Sequence, residues 1–230
     1  MRLKTIAPCV FMTTLFAAVT SQAQSEPYPA MAPSAQYLMP EGEEIALARS
    51  AAPKSISEQA EVMVLKKDGY ATAVKGSNGF LCLVERGWDA GTDFSDFWNS
   101  RLRGPNCFNA AAAKSVAPIY LMKARLALQG KSKQEIAKAV SAAIDSKALP
   151  APAPGAMCYM MSKQQYLNDG ARSWHPHLMF FAAGDAARDW GANLQGSPMM
   201  ASPDPEDRLT IFMMAADHWS DGTPAPAMEH

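Results

Sequence analysis

Apolar and polar positions alternate between residues 62 and 85 in a pattern that predicts short strands. Lys66-Lys67-Asp68-Gly69 interrupts this pattern, and its Asp-Gly pair is typical of a two-residue hairpin turn. Ser77-Asn78-Gly79 marks a second turn before another apolar run. Because both connections are short, we expect an antiparallel three-strand meander. Its strands are predicted at 62–67, 70–75 and 79–85.

Two stretches in the middle of the chain have helical periodicity, at 115–129 and 132–148. Ser115 is the expected N-cap of the first, and Gly130 is its expected stop. The second opens with a capping box in which Ser132 precedes Glu135 by three residues. The short connection predicts an antiparallel helix hairpin.

Three more apolar runs, at 156–161, 177–182 and 208–216, predict buried strands after the helices. Strands, then helices, then strands favour the α+β class over a parallel α/β design. We therefore expect a mainly antiparallel sheet, made of the N-terminal meander and the C-terminal strands. The helix hairpin is expected to pack on one face of it.

The ends of the chain differ in composition from the middle. Residues 24–40 are rich in Pro, Ala and Ser, which predicts a flexible arm, and residues 224–230 read as a loose tail. A single α+β domain is expected from 41 to 223, opening with a helix from Glu41 to Arg49.

The first 23 residues have the layout of a secretory signal peptide. Arg2 and Lys4 supply positive charge, an apolar run extends from Ile6 to Val19, and Ser21-Gln22-Ala23 resembles a cleavage site. This run is shorter than the roughly 20 apolar residues that span a bilayer. We expect cleavage after Ala23 and a periplasmic or secreted protein with no membrane span after cleavage.

Composition narrows the function classes. Lys and Arg number 21 against 22 Asp and Glu, so the formal net charge is −1. Nucleic-acid binding is not expected, because such proteins carry a strongly basic face. A hydrophobic content of 48% is sufficient for a packed core.

Removal of the signal peptide leaves three cysteines, Cys82, Cys107 and Cys158. An odd number in an oxidising compartment leaves one thiol free. We predict a Cys82–Cys107 disulfide, since both lie in the same half of the chain, and a buried Cys158. Linkages of Cys158 to either of the other two are the alternatives.

The densest set of reactive side chains lies between two of the predicted strands. These are Asp169, Arg172, Trp174, His175 and His177, and they are the predicted ligand-binding residues. No Gly-x-Ser-x-Gly, Walker or dinucleotide glycine pattern accompanies them in the sequence.

The His-x-His pair suggests a metal site. In an extended segment the side chains of His175 and His177 point to the same side, as two ligands of a divalent metal such as zinc would. His218 is a candidate third ligand, and the alternatives are Asp169, Asp185, Asp189 and Asp221. No His-Glu-x-x-His pattern supports any of them. The simpler interpretation is that both histidines hydrogen-bond to loop backbone or to an acid such as Asp169.

Several segments of the chain resemble an uncharacterised group of exported bacterial proteins. They are 77–86, 103–109, 159–163, 174–180 and 219–223. The resemblance extends over residues 41–223 and implies an exported single domain. It implies no activity, cofactor or site residue.

These observations lead to two function hypotheses. The first is an exported, non-enzymatic protein without a cofactor that binds a small ligand or an envelope protein. The alternative is a metal-dependent enzyme of the hydrolase type that uses His175 and His177.

Overall fold

The computed structural model describes residues 27–227. The predicted signal peptide at 1–23, the first residues of the expected arm and the last residues of the expected tail lie outside the described residues. The helices are α1 (Glu41–Arg49), α2 (Lys54–Ser57), α3 (Ala110–Ser115), α4 (Ala117–Leu128) and α5 (Lys133–Asp145), with short 3-10 helices at Ser34–Tyr37 and Gly87–Asp89. The strands are β1 (Glu61–Lys66), β2 (Gly69–Val74), β3 (Leu81–Glu85), β4 (Gly104–Phe108), β5 (Met157–Met160), β6 (His177–Ala183), β7 (Met200–Asp204) and β8 (Leu209–Ala215).

These eight strands form one sheet in the order β2-β1-β3-β4-β5-β6-β8-β7. Every neighbouring pair is antiparallel except β1 and β3, which are parallel. The structure therefore confirms the α+β class and the mainly antiparallel sheet. None of the helices between residues 27 and 227 has the length and apolar character needed to cross a bilayer.

The first three strands do not form the predicted meander. β2 pairs with β1 as a hairpin, but β3 lies on the other side of β1 and runs parallel to it. A Cβ atom on Gly76 would lie 2.1 Å from the Glu61 nitrogen, so the chain needs a glycine where it rounds the start of β1. A turn signal shows that the chain reverses, but not on which side of a hairpin the next strand adds.

The sheet also contains two strands that the apolar pattern does not predict, β4 and β7. Each contains a proline, which cannot donate to a sheet ladder. Pro203 is tolerated because β7 is an edge strand. Pro105 lies before the part of β4 that pairs with β5, which comprises only Cys107 and Phe108.

The first predicted helix is divided in two. Asn109, not Ser115, caps α3, and its side chain accepts a hydrogen bond from the Ala112 nitrogen at 2.9 Å. Helix α3 ends at Ser115, and α4 begins anew with Pro118 in its first turn. Proline lacks the N–H that would continue the helix, which explains the break. The capping box of Ser132 and Glu135 begins α5 as predicted.

Helices cover both faces of the sheet, not one. Leu83, Phe108 and Cys158 belong to a core cluster that also includes residues of α4 and α5, and we call this side the α4 face. Alternate residues of the same strands, such as Cys82 and Cys107, pack with Leu47 and Ala48 of α1 on the opposite side, the α1 face. The helix from Glu41 to Arg49 was predicted correctly, but its packing position was not foreseen.

The cysteines behave as predicted. Cys82 and Cys107 face each other on β3 and β4 and form a disulfide. Cys158 is free and fully buried on the α4 face. Burial raises the pKa of its thiol well above the ordinary value, which makes it unreactive.

The segment from 27 to 40 packs on the domain, in contrast to the flexible arm expected there. Tyr37 is fully buried, and its hydroxyl donates to the Trp98 carbonyl oxygen at 2.8 Å. Its ring lies 4.8 Å from that of Trp88. The Pro- and Ser-rich composition of the segment does not predict this packing, because the packing depends on one aromatic residue, Tyr37.

A buried ion pair joins this segment, α1 and the sheet. Arg86 donates to Glu44 Oε1 at 2.8 Å, to the Tyr37 carbonyl oxygen at 3.0 Å, and to the Val84 carbonyl oxygen. Glu44 Oε1 also accepts from the Leu65 nitrogen at 3.2 Å. Both charged side chains are fully buried. We call this group of contacts the Arg86 junction.

A second buried pair holds α4 to the turn before β8. Lys123 Nζ lies 2.6 Å from Asp207 Oδ2 and donates to the Asp89 carbonyl oxygen at 3.1 Å. It therefore also fixes the 3-10 helix that follows β3.

Replacing Glu44 tests the Arg86 junction. Glu44→Gln keeps the shape of the side chain but leaves the buried guanidinium without a counter-charge, and we expect a loss of about 3 kcal/mol in the free energy of unfolding. Glu41→Gln on the same helix is the matched control, because the Glu41–Lys66 pair is exposed and should contribute less than about 1 kcal/mol. Denaturant unfolding measures both, and equal losses would contradict the prediction.

Candidate functional site

The carboxylate of Asp169, the first of the predicted ligand-binding residues, already accepts hydrogen bonds from neighbouring side chains. It accepts hydrogen bonds from Tyr28 at 2.5 Å, Tyr166 at 2.6 Å, Asn99 at 2.9 Å and Arg101 at 2.6 Å. The tyrosine hydroxyls are the main cause of a carboxyl pKa well below its usual range. Asp169 thus clamps the N-terminal segment to two loops and has little capacity left for a ligand.

Arg172 belongs to the same exposed cluster. Its guanidinium lies 5.8 Å from the centre of the Tyr166 ring, and its backbone has a positive φ of 63°. It lines none of the cavities described below.

The two histidines of the His-x-His pair face different surroundings. His177 is buried at the start of β6, and its Nδ1 lies 2.7 Å from the carbonyl oxygen of His175. Desolvation lowers the pKa of His177 to about 4, so its ring is neutral near pH 7. His175 lies in a shallow surface pocket with Trp174 and Trp219.

The part of the chain that the structure describes contains no group of three or more His, Cys, Asp or Glu side chains placed to hold a metal. His218, the expected third ligand, is exposed on the loop after β8. The hydrogen bond from His177 to backbone instead matches the simpler interpretation of this histidine.

Trp174 and His177 border a cavity of about 270 Å³ on the α4 face. Its walls come from the ends of β3, β5, β6 and β8 and from the loops around Phe94, Leu102 and Leu167. Most of its lining is apolar: Ala90, Phe94, Leu102, Met160, Leu167, Met179 and Met213. Several of these side chains are only partly buried, so the cavity communicates with solvent.

The ionisable residue that distinguishes this cavity is Glu85, at the end of β3. Its Oε2 accepts a hydrogen bond from Asn106 at 3.1 Å, whereas its Oε1 has no partner among residues 27–227. Burial raises the pKa of Glu85 to about 7, against the opposing effects of Asn106 and the Lys123 charge. A carboxyl of this kind changes its charge near neutral pH.

The paired strand makes room for this carboxyl. Gly104 lies opposite Glu85 in the ladder of β3 and β4, and a Cβ there would come within 2.4 Å of Glu85 Oε1. Glycine at this position therefore lets the carboxyl lie directly on the backbone of β4.

Glu85 and His177 both present hydrogen-bond acceptors to this cavity. His177 uses its Nδ1–H on a carbonyl oxygen, so the Nε2 of the neutral ring carries a lone pair. Arg86 also borders the cavity, but its side chain is fully buried, and each of its three guanidinium nitrogens donates within the Arg86 junction. We call this space, with Glu85 and His177 as its acceptors, the Glu85 cavity.

Sequence reasoning finds Trp174 and His177 but misses Glu85 and Gly104. Glu85 sits at a strand end, where acidic residues are common, and Gly104 lies in a turn-like Arg-Gly-Pro-Asn segment. Their significance appears only when β4 is paired with β3.

Comparison of the chain with protein-family models, curated proteins and solved structures gave no match.

Glu85→Gln tests the raised pKa. The unfolded carboxyl titrates near 4.5 and the folded one near 7, so the native state binds more protons between these values, and Glu85 reduces stability as pH rises through this window. We expect the variant to be more stable than the parent by on the order of 3 kcal/mol at pH 8 and equal to it near pH 4.

Denaturant unfolding at several pH values measures this difference. Glu43→Gln, which alters an exposed carboxylate of α1, should show no such pH dependence. A stability difference for Glu85→Gln that does not change with pH would refute the assignment.

Proposed function

We propose that the protein is an exported binding protein that holds a small apolar amine in the Glu85 cavity. The single observation that carries this proposal is the polarity of the site. Its walls are mainly apolar, Glu85 and His177 both offer acceptors, and the fully buried Arg86 side chain presents no exposed donor. A ligand with N–H donors satisfies both groups, and a ligand that offers only acceptors does not.

Charge points to the same ligand class. Near neutral pH a cationic amine favours the ionised form of Glu85, because an opposite charge lowers the pKa of a buried carboxyl. The neutral ring of His177 does not repel a cation. An organic acid would instead meet a carboxylate and a lone pair.

The volume limits the ligand. Water occupies about 30 Å³ per molecule in the liquid, so a cavity of about 270 Å³ holds about nine non-hydrogen atoms. An alkylamine or a phenylalkylamine with one ring is of this size.

The chemistry of the lining favours binding over covalent catalysis. Among the described residues that line the Glu85 cavity there is no Ser, Thr, Cys or Lys that could act as a nucleophile. The metal-dependent hydrolase alternative rests on His175 and His177, whose surroundings differ as described above. No structural observation favours it over ligand binding.

Export supports an envelope role. The predicted signal peptide, the resemblance to exported bacterial proteins and the disulfide between Cys82 and Cys107 agree with an oxidising compartment. We propose that the mature protein acts in the periplasm or outside the cell.

2-Phenylethylamine is a suitable test ligand. Trp174 borders the cavity, so we expect saturable quenching of tryptophan fluorescence, with affinity at least tenfold higher at pH 8 than at pH 5.5, where Glu85 is protonated. 2-Phenylethanol and phenylacetate are close to it in size and should bind more weakly.

Glu85→Gln should weaken amine binding at pH 8 by at least tenfold and remove its dependence on pH. Glu43→Gln serves again as the matched control and should bind like the parent protein. Equal affinity of the parent and Glu85→Gln for the amine would contradict the proposed role of the carboxyl. Tighter binding of phenylacetate than of the amine would contradict the ligand class.

A further inference from the structure

A second pocket, of about 300 Å³, lies at the end of α1 nearest α2 and the loop after β8. Arg49, Lys54 and Ser57 supply its cationic and hydroxyl groups, while Ala46 and Ala52 contribute apolar wall. It takes no part in the Glu85 cavity, since the two share no lining residue. We call it the Arg49 pocket.

Arg49 has no counter-ion within the described span of the chain. It forms neither an ion pair nor a hydrogen bond there, and its Nε is buried without a partner. An unsatisfied buried N–H costs free energy that an exposed arginine does not incur. Packing therefore holds the Arg49 side chain in the pocket wall, and its N–H donors have no partner among the described residues.

Ser57 provides a second uncommitted donor. The residue is only 2% exposed, and its hydroxyl makes no hydrogen bond to any other described residue. Lys54, one turn earlier on α2, is exposed beside the pocket and has no ion pair within residues 27–227.

The carboxylates near the pocket do not neutralise these cations. Asp221 accepts hydrogen bonds from the hydroxyl and the nitrogen of Thr223 and is paired with Lys163 at 3.0 Å, and these contacts together lower its pKa to about 2. Glu58 is exposed and lies more than 4.0 Å from either cation. Because Lys163 already neutralises Asp221, the two cations of the pocket face one further carboxylate, Glu58.

The wall opposite α1 is rigid. Ser220 donates through its hydroxyl to the Ser50 carbonyl oxygen at 2.6 Å, and its nitrogen donates to the Met161 carbonyl oxygen at 3.0 Å. Ser50 in turn shares a hydrogen bond of 2.6 Å with Ser162. These contacts fix Ser50 and Ser220 in the pocket wall without using the side-chain donors of Arg49, Lys54 or Ser57.

We infer that the Arg49 pocket binds a small organic carboxylate. The planar guanidinium matches a carboxylate with two parallel hydrogen bonds, and the hydroxyl of Ser57 adds a third donor. The alanine side chains leave space for a short apolar chain on the acid. The Arg49 pocket thus offers hydrogen-bond donors to a ligand, whereas the Glu85 cavity offers acceptors.

Butyrate is the probe, and ¹H–¹⁵N spectra that include the arginine Nε–Hε signals give the readout. We expect butyrate to shift the Arg49 Nε–Hε signal and the backbone signal of Ser57 saturably, with a dissociation constant in the millimolar range. Butyramide, which has the same size without the charge, should leave these signals unshifted.

Arg49→Gln should weaken butyrate binding at least tenfold, and Arg49→Lys should bind with intermediate affinity because it keeps the charge but loses the planar fork. Arg188→Gln, at an exposed arginine outside the pocket, is the matched control and should bind like the parent. Shifts that are equal for butyrate and butyramide, or unchanged in Arg49→Gln, would overturn the inference.

Inorganic phosphate separates a carboxylate site from a general anion site. Saturable shifts of the Arg49 signal by phosphate, in the absence of any by butyrate, would overturn the carboxylate assignment. If Arg49→Gln loses the dispersed spectrum of a folded protein, the comparison of butyrate with butyramide on the parent protein still decides. Neither outcome bears on amine binding in the Glu85 cavity, which involves different residues.

Discussion

The fold depends on satisfying a guanidinium group that lies entirely out of contact with water. Arg86 follows β3, and its donors reach the N-terminal segment, α1 and the strand itself. A buried cation is tolerated only when its charge and its hydrogen bonds are all matched. Elements far apart in the chain must therefore meet at this point. The Arg86 junction explains why a helix covers the α1 face and why the segment before α1 is packed.

The same constraint shapes the Glu85 cavity. Because the Arg86 side chain is fully buried and each of its three guanidinium nitrogens donates within the protein, the cation offers no exposed hydrogen bond to a ligand. Glu85 and His177 then dominate its polarity. Their pKa values shift in opposite directions for one reason, since burial disfavours the charged form of both an acid and a base. Around pH 6 both groups are mainly neutral, and above pH 7 the cavity becomes anionic.

Periodicity in the sequence was sufficient for most elements. The hairpin of β1 and β2, helices α1 and α5, and strands β5, β6 and β8 follow from local patterns of apolar residues, turns and caps. The meander was wrong because β3 adds parallel to β1 on the side away from β2, a non-local pairing that requires Gly76 to pass close to Glu61. Strand β4 was not predicted because its Gly-Pro-Asn sequence resembles a turn. In the structure β3 and β5 pair with it on either side and hold it extended.

The candidate site was only partly predictable for a related reason. Trp174 and His177 stand out as unusual residue types, but Asp169 is engaged by tyrosines that sequence spacing does not bring together. Glu85 owes its properties to burial and to the strand opposite. Residue type can be read from a sequence, whereas desolvation and the hydrogen-bond partners of a side chain depend on the completed fold.

The contact of Gly104 with Glu85 has a consequence for how such a site changes over evolution. Any side chain at 104 would occupy the space of the carboxyl, so the two positions cannot vary independently. A related protein that has lost the glycine is expected to have lost the acid as well, or to hold it in another rotamer away from the cavity. The pair is therefore a diagnostic that separates chains that retain the Glu85 cavity from chains that share only the surrounding sheet.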